Sequence, residues 1–134
     1  MLPLLLACSS TSSDSAAPAD PAALDCGTDS PTQQSVTVSG LSMNVACQGE
    51  GETVLMLHGF PEFWYAWKGV AAPVSASHRV VMPDQRGYNL SDKPEALSDY
   101  EIDLLVDDMV DLIGQLSDTP VVLVAHDWGG IGAW

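Results

Sequence analysis

From Val36 onward, VTVSGLSMNVACQGEG alternates apolar and polar positions on both sides of Ser39-Gly40. A period of two broken by a Ser-Gly pair predicts a β-hairpin. The pattern then changes. TVLMLHG (53–59), RVVMPD (79–84) and VVLVAH (121–126) are continuous apolar runs closed by turn-forming or polar residues. A strand covered on both faces reads this way, and several of them predict a mostly parallel sheet between helical layers. Helical spacing fills the intervals. After Pro61, a favourable first-turn residue, Trp64, Trp67, Ala71 and Val74 fall on one face, as core rather than substrate contacts. Further on, Ile102, Leu105, Val106, Met109, Ile113 and Leu116 form an apolar stripe, with Asp103, Asp107, Asp108 and Asp111 set mostly opposite as a solvated surface. Ser98 and Glu101 carry the Ser-x-x-Glu spacing of a capping box at its start. The predicted order is hairpin, strand, helix, strand, helix, strand, with a last helix beginning at Ile131. This is the front of an α/β sandwich.

Residues 1–34 lack such periods and read as a leader and flexible tether ahead of a folded part, 35–134. The start, MLPLLLA, is apolar and runs into Cys8, after which SSTSSDSAAPADPAALD is rich in Ser, Ala, Pro and Asp. LLAC resembles the lipobox of bacterial lipoproteins. That resemblance implies a lipid on Cys8, attachment to a membrane and a cell-envelope location. No basic n-region precedes it, so a true start upstream is expected; the alternative is an accidental apolar N-terminus on a cytoplasmic enzyme. No apolar run is long enough for a membrane-spanning helix.

Charge narrows the partners. Asp plus Glu number 18 against 4 Lys plus Arg, which leaves no basic patch for nucleic acid and argues against anionic surfaces. Cys and His show no metal-ligand spacing, and neither a metal nor a cofactor is expected. Cys26 and Cys47 could pair in an exported protein. Cys47 shares a strand face with Leu41, Met43 and Val45, however, so a buried free thiol is the expected state.

Asp127 carries the chemistry. It follows an apolar strand and precedes a helix, with small Ala125, Gly129 and Gly130 around it. A strand that turns sharply into a helix lifts the turn residue out of the sheet edge, and the resulting crowding favours small neighbours. This is the pattern of a nucleophile elbow, with Asp in the reacting position. N–H groups at the helix start favour a carboxylate, which should lower the pKa of Asp127 and keep it ionised. An ionised carboxylate attacks carbon without a base. The competing reading is a helix N-cap aspartate.

Three stretches together, HGFPEFWYAW (58–67), DQRGYNLSDKP (84–94) and AHDWGG (125–130), resemble the α/β-hydrolase superfamily, specifically its epoxide hydrolase branch. The resemblance implies an α/β-hydrolase fold, truncated here after the elbow. It implies that Asp127 opens a small apolar epoxide to an ester that water hydrolyses to a diol. The backbone N–H groups of Phe60 and Trp128 would form the oxyanion hole. His58, Gly59, Pro61, Gly129 and Gly130 would be structural motif residues, and the Phe60-Pro61 bond a candidate cis peptide. The acid, the histidine base and the cap tyrosines of the family would follow Trp134, so the chain as given is expected to be inactive. Haloalkane or haloacetate dehalogenase is the alternative activity, although the Phe60 side chain cannot donate a hydrogen bond to a departing halide. A lipid-tethered binding protein that keeps only the pocket is the alternative outside catalysis.

The other chemistry-bearing residues read as structural. His126 adjoins Asp127 on a strand and so points to the opposite face. His78 is expected in an exposed loop. Asp84, Arg86 and Asp92 are expected to hold turns. The leader is checked by growth with a fatty-acid analogue: label should enter the protein and be lost in Cys8→Ala, and an unlabelled wild-type chain rules lipidation out.

Overall fold

The computed structural model describes residues 24–134; Cys8, the leader and most of the tether lie outside the described residues. The alternating segment forms strands β1 (Thr32–Val38) and β2 (Leu41–Gln48), antiparallel in the register Thr32 to Cys47 through Val38 to Leu41. Ser39 and Gly40 turn the hairpin with φ of 49° and 79°, the left-handed pair that matches strand twist.

The chain continues through β3 (Glu52–Leu57), a 3-10 turn (Trp64–Trp67), α1 (Lys68–Val74) and β4 (His78–Pro83). A second 3-10 turn (Leu97–Tyr100), α2 (Ile102–Leu116), β5 (Val122–Ala125) and α3 (Trp128–Ala133) complete it. Sheet order is β1-β2-β4-β3-β5, with β2 antiparallel to β4, and β3 parallel to both β4 and β5. The sheet is mixed. Its parallel part is the part that reaches the functional edge.

Alternation along the apolar runs serves two layers. Val54 and Met56 join Ala46, Val80, Met82, Trp64 and Ala71 on the α1 face. Leu55 and Leu57 join Val36, Met43, Val45, Val81, Met109 and Leu112 on the α2 face. Each neighbour along a strand therefore needs an apolar side chain, which is why these runs do not alternate in the sequence.

Several expectations are corrected. Trp64–Trp67 forms its own 3-10 turn instead of the first part of one helix, and Pro61 precedes it in a turn closed by the Glu62 N–H donating to Gly59 O at 2.9 Å. The capping box does not form: Leu97–Tyr100 close as a separate turn, Glu101 is the extended N-cap of α2, and it makes no side-chain cap bond. The last helix starts at Trp128, not Ile131. His78 is the half-buried first residue of β4. β5 is not covered on both faces, since Val122 and Leu123 are exposed and it forms the sheet edge among the described residues.

Cys47 is not a free thiol. It is buried in the α2-side core as its neighbours imply, but Cys26 is bonded to it, with the Cα atoms 4.7 Å apart. The backbone explains the difference. The Gly27 N–H donates to Cys47 O and the Gly49 N–H to Gly27 O, laying the end of the tether against β2. A strand-face argument applied to Cys47 alone cannot see a segment that folds back from outside the hairpin.

Asp108 also departs from the solvated surface. It is buried, and Arg86 grips it with two bonds, Nε to Oδ2 at 2.8 Å and Nη2 to Oδ1 at 2.7 Å, while Nη1 donates to Asp99 O at 2.7 Å. This ties the loop after β4 to α2. Removing one member leaves the other charge buried and unpaired. Asp108→Ala should destabilise the fold by about 3–5 kcal/mol in chemical denaturation; a loss under ~1 kcal/mol would assign the pair the weight of a surface contact.

Candidate active site

Parallel strands β3, β4 and β5 end at one edge of the sheet, so the segments that follow Leu57, Pro83 and Ala125 converge there. Ligands of open α/β sheets bind at such carboxyl ends. Asp127 occupies the turn between β5 and α3 with φ 50° and ψ −116°, a backbone conformation rare for a residue with a side chain. It holds the N-cap position yet makes no side-chain cap bond. Its Oδ1 instead accepts the Phe60 N–H at 2.8 Å, across from the segment that leaves β3.

That approach depends on missing side chains. A Cβ on Gly59 would lie 2.7 Å from Asp127 Cβ, and one on Gly129 would lie 2.6 Å from both Leu57 O and His58 O. Gly130 differs: a Cβ there would meet nothing within 4 Å, so the crowding expected around the elbow does not extend to it. α3 turns that position away from the sheet.

The electrostatics follow from the same contacts. The Phe60 N–H, then the Trp128 N–H, hold the exposed Asp127 carboxyl below the usual aspartate range, with a smaller contribution from His126. Phe60-Pro61 is cis, as the motif implies. The Phe60 ring is exposed, so the residue meets the carboxylate through its backbone.

The remaining motif residues form a layer beneath. His58 is fully buried, and burial pushes its pKa below the ordinary value despite nearby Asp84 and Glu62. Asp84 is buried too. It accepts the Trp64 N–H at 2.9 Å and the amides of Asn44 and Asn89 at 2.7 Å each. Asp92 accepts the Ser42 N–H at 2.8 Å. With Arg86 on Asp108, all three loop residues named from the motif make structural bonds. His126 is exposed, its Nδ1 3.5 Å from Glu62 Oε2, and does not line the cleft beside Asp127. His78 lies at the opposite end of β4.

Asp127 opens onto a cleft of about 690 Å³ lined by Phe60, Gln85, Tyr88, Tyr100, Leu105 and Trp128. Reasoning from sequence singled out Phe60, Asp127 and Trp128 but missed Gln85, Tyr88 and Tyr100. Gln85 and Tyr88 had a signal available, because they follow the carboxyl end of a parallel strand. Tyr100 had none: it arrives through the 3-10 turn ahead of α2, with its hydroxyl donating to Pro94 O at 2.9 Å.

Residues 52–134 match the sequence profile of the alpha/beta hydrolase fold. The chain belongs to the alpha/beta hydrolase family. Among its relatives, the AB hydrolase superfamily protein YfhM of Bacillus subtilis is 51% identical over 104 residues, 75% of this chain and 36% of that protein. Epoxide hydrolase 1 of Caenorhabditis elegans is 48% identical over 81 residues, 60% of this chain and 20% of that protein. A crystal structure of an epoxide hydrolase from Vigna radiata superposes with a TM-score of 0.77 at 47% identity, over 78% of this chain and 34% of that one. The chain thus spans 20% to 36% of the length of these relatives.

The lowered pKa of Asp127 has a definite sign. Its ionised form contributes to stability above the unfolded-state pKa, and that contribution is lost as pH falls through the lower folded value. A 13C-carboxyl titration should therefore place Asp127 below the ordinary aspartate range, and a midpoint at or above that range contradicts the Phe60 and Trp128 contacts.

Proposed function

We propose that the protein is an epoxide hydrolase in which Asp127 is the nucleophile. The observation that carries this reading is the orientation of its carboxylate: it leaves its N-cap bond unmade, faces the cleft, and has Oδ1 bound by the Phe60 N–H. The epoxide hydrolases among its relatives support the same substrate class.

With Oδ1 held, the oxygen free of the Phe60 contact is Oδ2. It attacks a ring carbon of the epoxide, the carbon–oxygen bond of the ring breaks, and the epoxide oxygen takes a proton as it becomes a hydroxyl. The product is a hydroxyalkyl ester with Oδ1 as its carbonyl oxygen. Water then adds to the ester carbon, and negative charge collects on Oδ1, where the Phe60 and Trp128 N–H groups meet it. Collapse expels the alkyl oxygen, which is protonated, and releases the diol with the Asp127 carboxylate restored. In sum, one epoxide and one water give one diol. The family resemblance assigns activation of this water to a histidine with an acid partner, and protonation of the epoxide oxygen to cap tyrosines, all later in sequence than the nucleophile in that family. The cleft wall of Phe60, Tyr88, Tyr100 and Trp128 suits an epoxide bearing an apolar or aromatic substituent.

The same reading sets the protein at the cell envelope, held by a lipid on Cys8. A disulfide between Cys26 and Cys47 supports this location, because such bonds persist in oxidising compartments.

In a full-length protein that carries these residues together with the family's base, acid and cap, rapid quenching after mixing with styrene oxide, followed by peptide mass spectrometry, should find an adduct of the epoxide's mass on the peptide containing Asp127. Asp127→Ala should abolish both adduct and diol. Diol formation that survives this change, or an adduct on a different residue, rejects Asp127 as the nucleophile.

A further inference from the structure

We infer that His58 is a positioning residue: as the neutral tautomer protonated at Nδ1, it fixes the plane of the Gly59–Phe60 peptide so that the Phe60 N–H is aimed at Asp127. The inference rests on the proposed role of that N–H as an oxyanion donor.

The reasoning begins with peptide planarity. The Gly59 carbonyl and the Phe60 N–H belong to one rigid unit and point in opposite directions across it. Whatever holds the carbonyl therefore aims the N–H. Two donors hold it. His58 Nδ1 lies 3.0 Å from Gly59 O, and the Glu62 N–H donates to the same oxygen at 2.9 Å. On the other side of the plane the Phe60 N–H reaches Asp127 Oδ1 at 2.8 Å.

The tautomer is set from the segment after β4. The Gln85 N–H donates to His58 Nε2 at 3.1 Å, which makes Nε2 an acceptor and leaves the proton on Nδ1. Gln85 also donates through Nε2 to His58 O at 2.6 Å, so the ring and the backbone of His58 are held by one neighbour. The Tyr88 ring stands edge-on to the imidazole, 4.8 Å between centroids, and limits its rotation. Gly129 packs its α-carbon under His58 O, which seats the start of α3 against the same residue.

A second proton on His58 would enter at Nε2 and set one donor against another, the Gln85 N–H. Burial opposes that proton as well. The charged or titratable groups around the ring are Glu62 from its own loop, Asp84 and Tyr88 from the segment after β4, and His126 and Asp127 from the turn after β5. The bond to Gly59 O, and then Asp84 and Glu62, favour protonation, but burial outweighs them.

Two variants separate aiming from packing. His58→Asn can retain a donor near the Nδ1 position, whereas His58→Leu fills similar space with none. In rapid-quench experiments with styrene oxide on the full-length protein, His58→Leu should slow hydrolysis of the Asp127 ester roughly tenfold or more while ester formation changes far less, so that ester accumulates. His58→Asn should recover part of that loss. Equal slowing of both steps, or no difference between the two variants, overturns the inference. Absence of any ester in the wild-type protein would instead remove the epoxide hydrolase reading, and 15N NMR then decides the role of His58 independently. Wild-type His58 should show a protonated Nδ1 and a bare Nε2 near neutral pH, and the Phe60 amide proton should shift in His58→Leu more than in His58→Asn. A protonated Nε2, or a Phe60 amide indifferent to both variants, overturns it whatever the activity.

Discussion

The site depends on how closely the exits of β3 and β5 approach one another. The strands are adjacent and parallel, paired from Val54 with Val122 to Leu57 with Ala125, so the chain leaves both at the same height. Two segments turning away from neighbouring strand ends would ordinarily diverge under the bulk of their side chains. Here Gly59 and Gly129 remove that bulk at the two points of contact. The carboxylate of one segment then reaches an amide of the other. Strand pairing thus supplies the distance, and glycine supplies the clearance.

Around that contact, structure is layered by polarity. The exposed carboxylate of Asp127 is the outermost element and keeps its charge because amide dipoles face it. Beneath it lie His58, Gln85 and Asp84, all buried and all hydrogen-bonded, with Asp84 taking bonds from three separate segments. Buried polar groups are costly unless satisfied, and a satisfied network admits few alternative arrangements. The loop after β4 is secured further out by Arg86 on Asp108. Much of the polar chemistry of this region therefore holds backbone in place, and comparatively little of it faces the cleft.

This division explains what could be read from the sequence. Strand order within the apolar runs, the hairpin turn and the position of Asp127 follow from local periodicity and steric requirements, and each appears where its pattern predicts. Pairings distant in sequence were another matter. Asp108 looked solvent-facing because helix periodicity cannot reveal a guanidinium arriving from a loop 22 residues away. Cys47 looked like an isolated core thiol because Cys26 lies in a stretch without period. The capping box failed for a local reason, since a 3-10 turn used Ser98 before the helix began. At the site, residues carried by strand ends were visible, whereas Tyr100 came from the approach to a helix and bore no mark of it.

The Cys26–Cys47 bond has a directional consequence. β3 and β4 begin where the strap from Leu24 to Gly27 crosses beside Gly49, Gly51 and Arg79, and both strands run from there toward Asp127. The covalent staple accordingly fixes the point of departure of the N-terminal segment at the rear of the domain, remote from the cleft. Any attachment made through the chain upstream of Leu24 would therefore join the domain on the side away from the cleft, and would leave the mouth clear of the point of attachment.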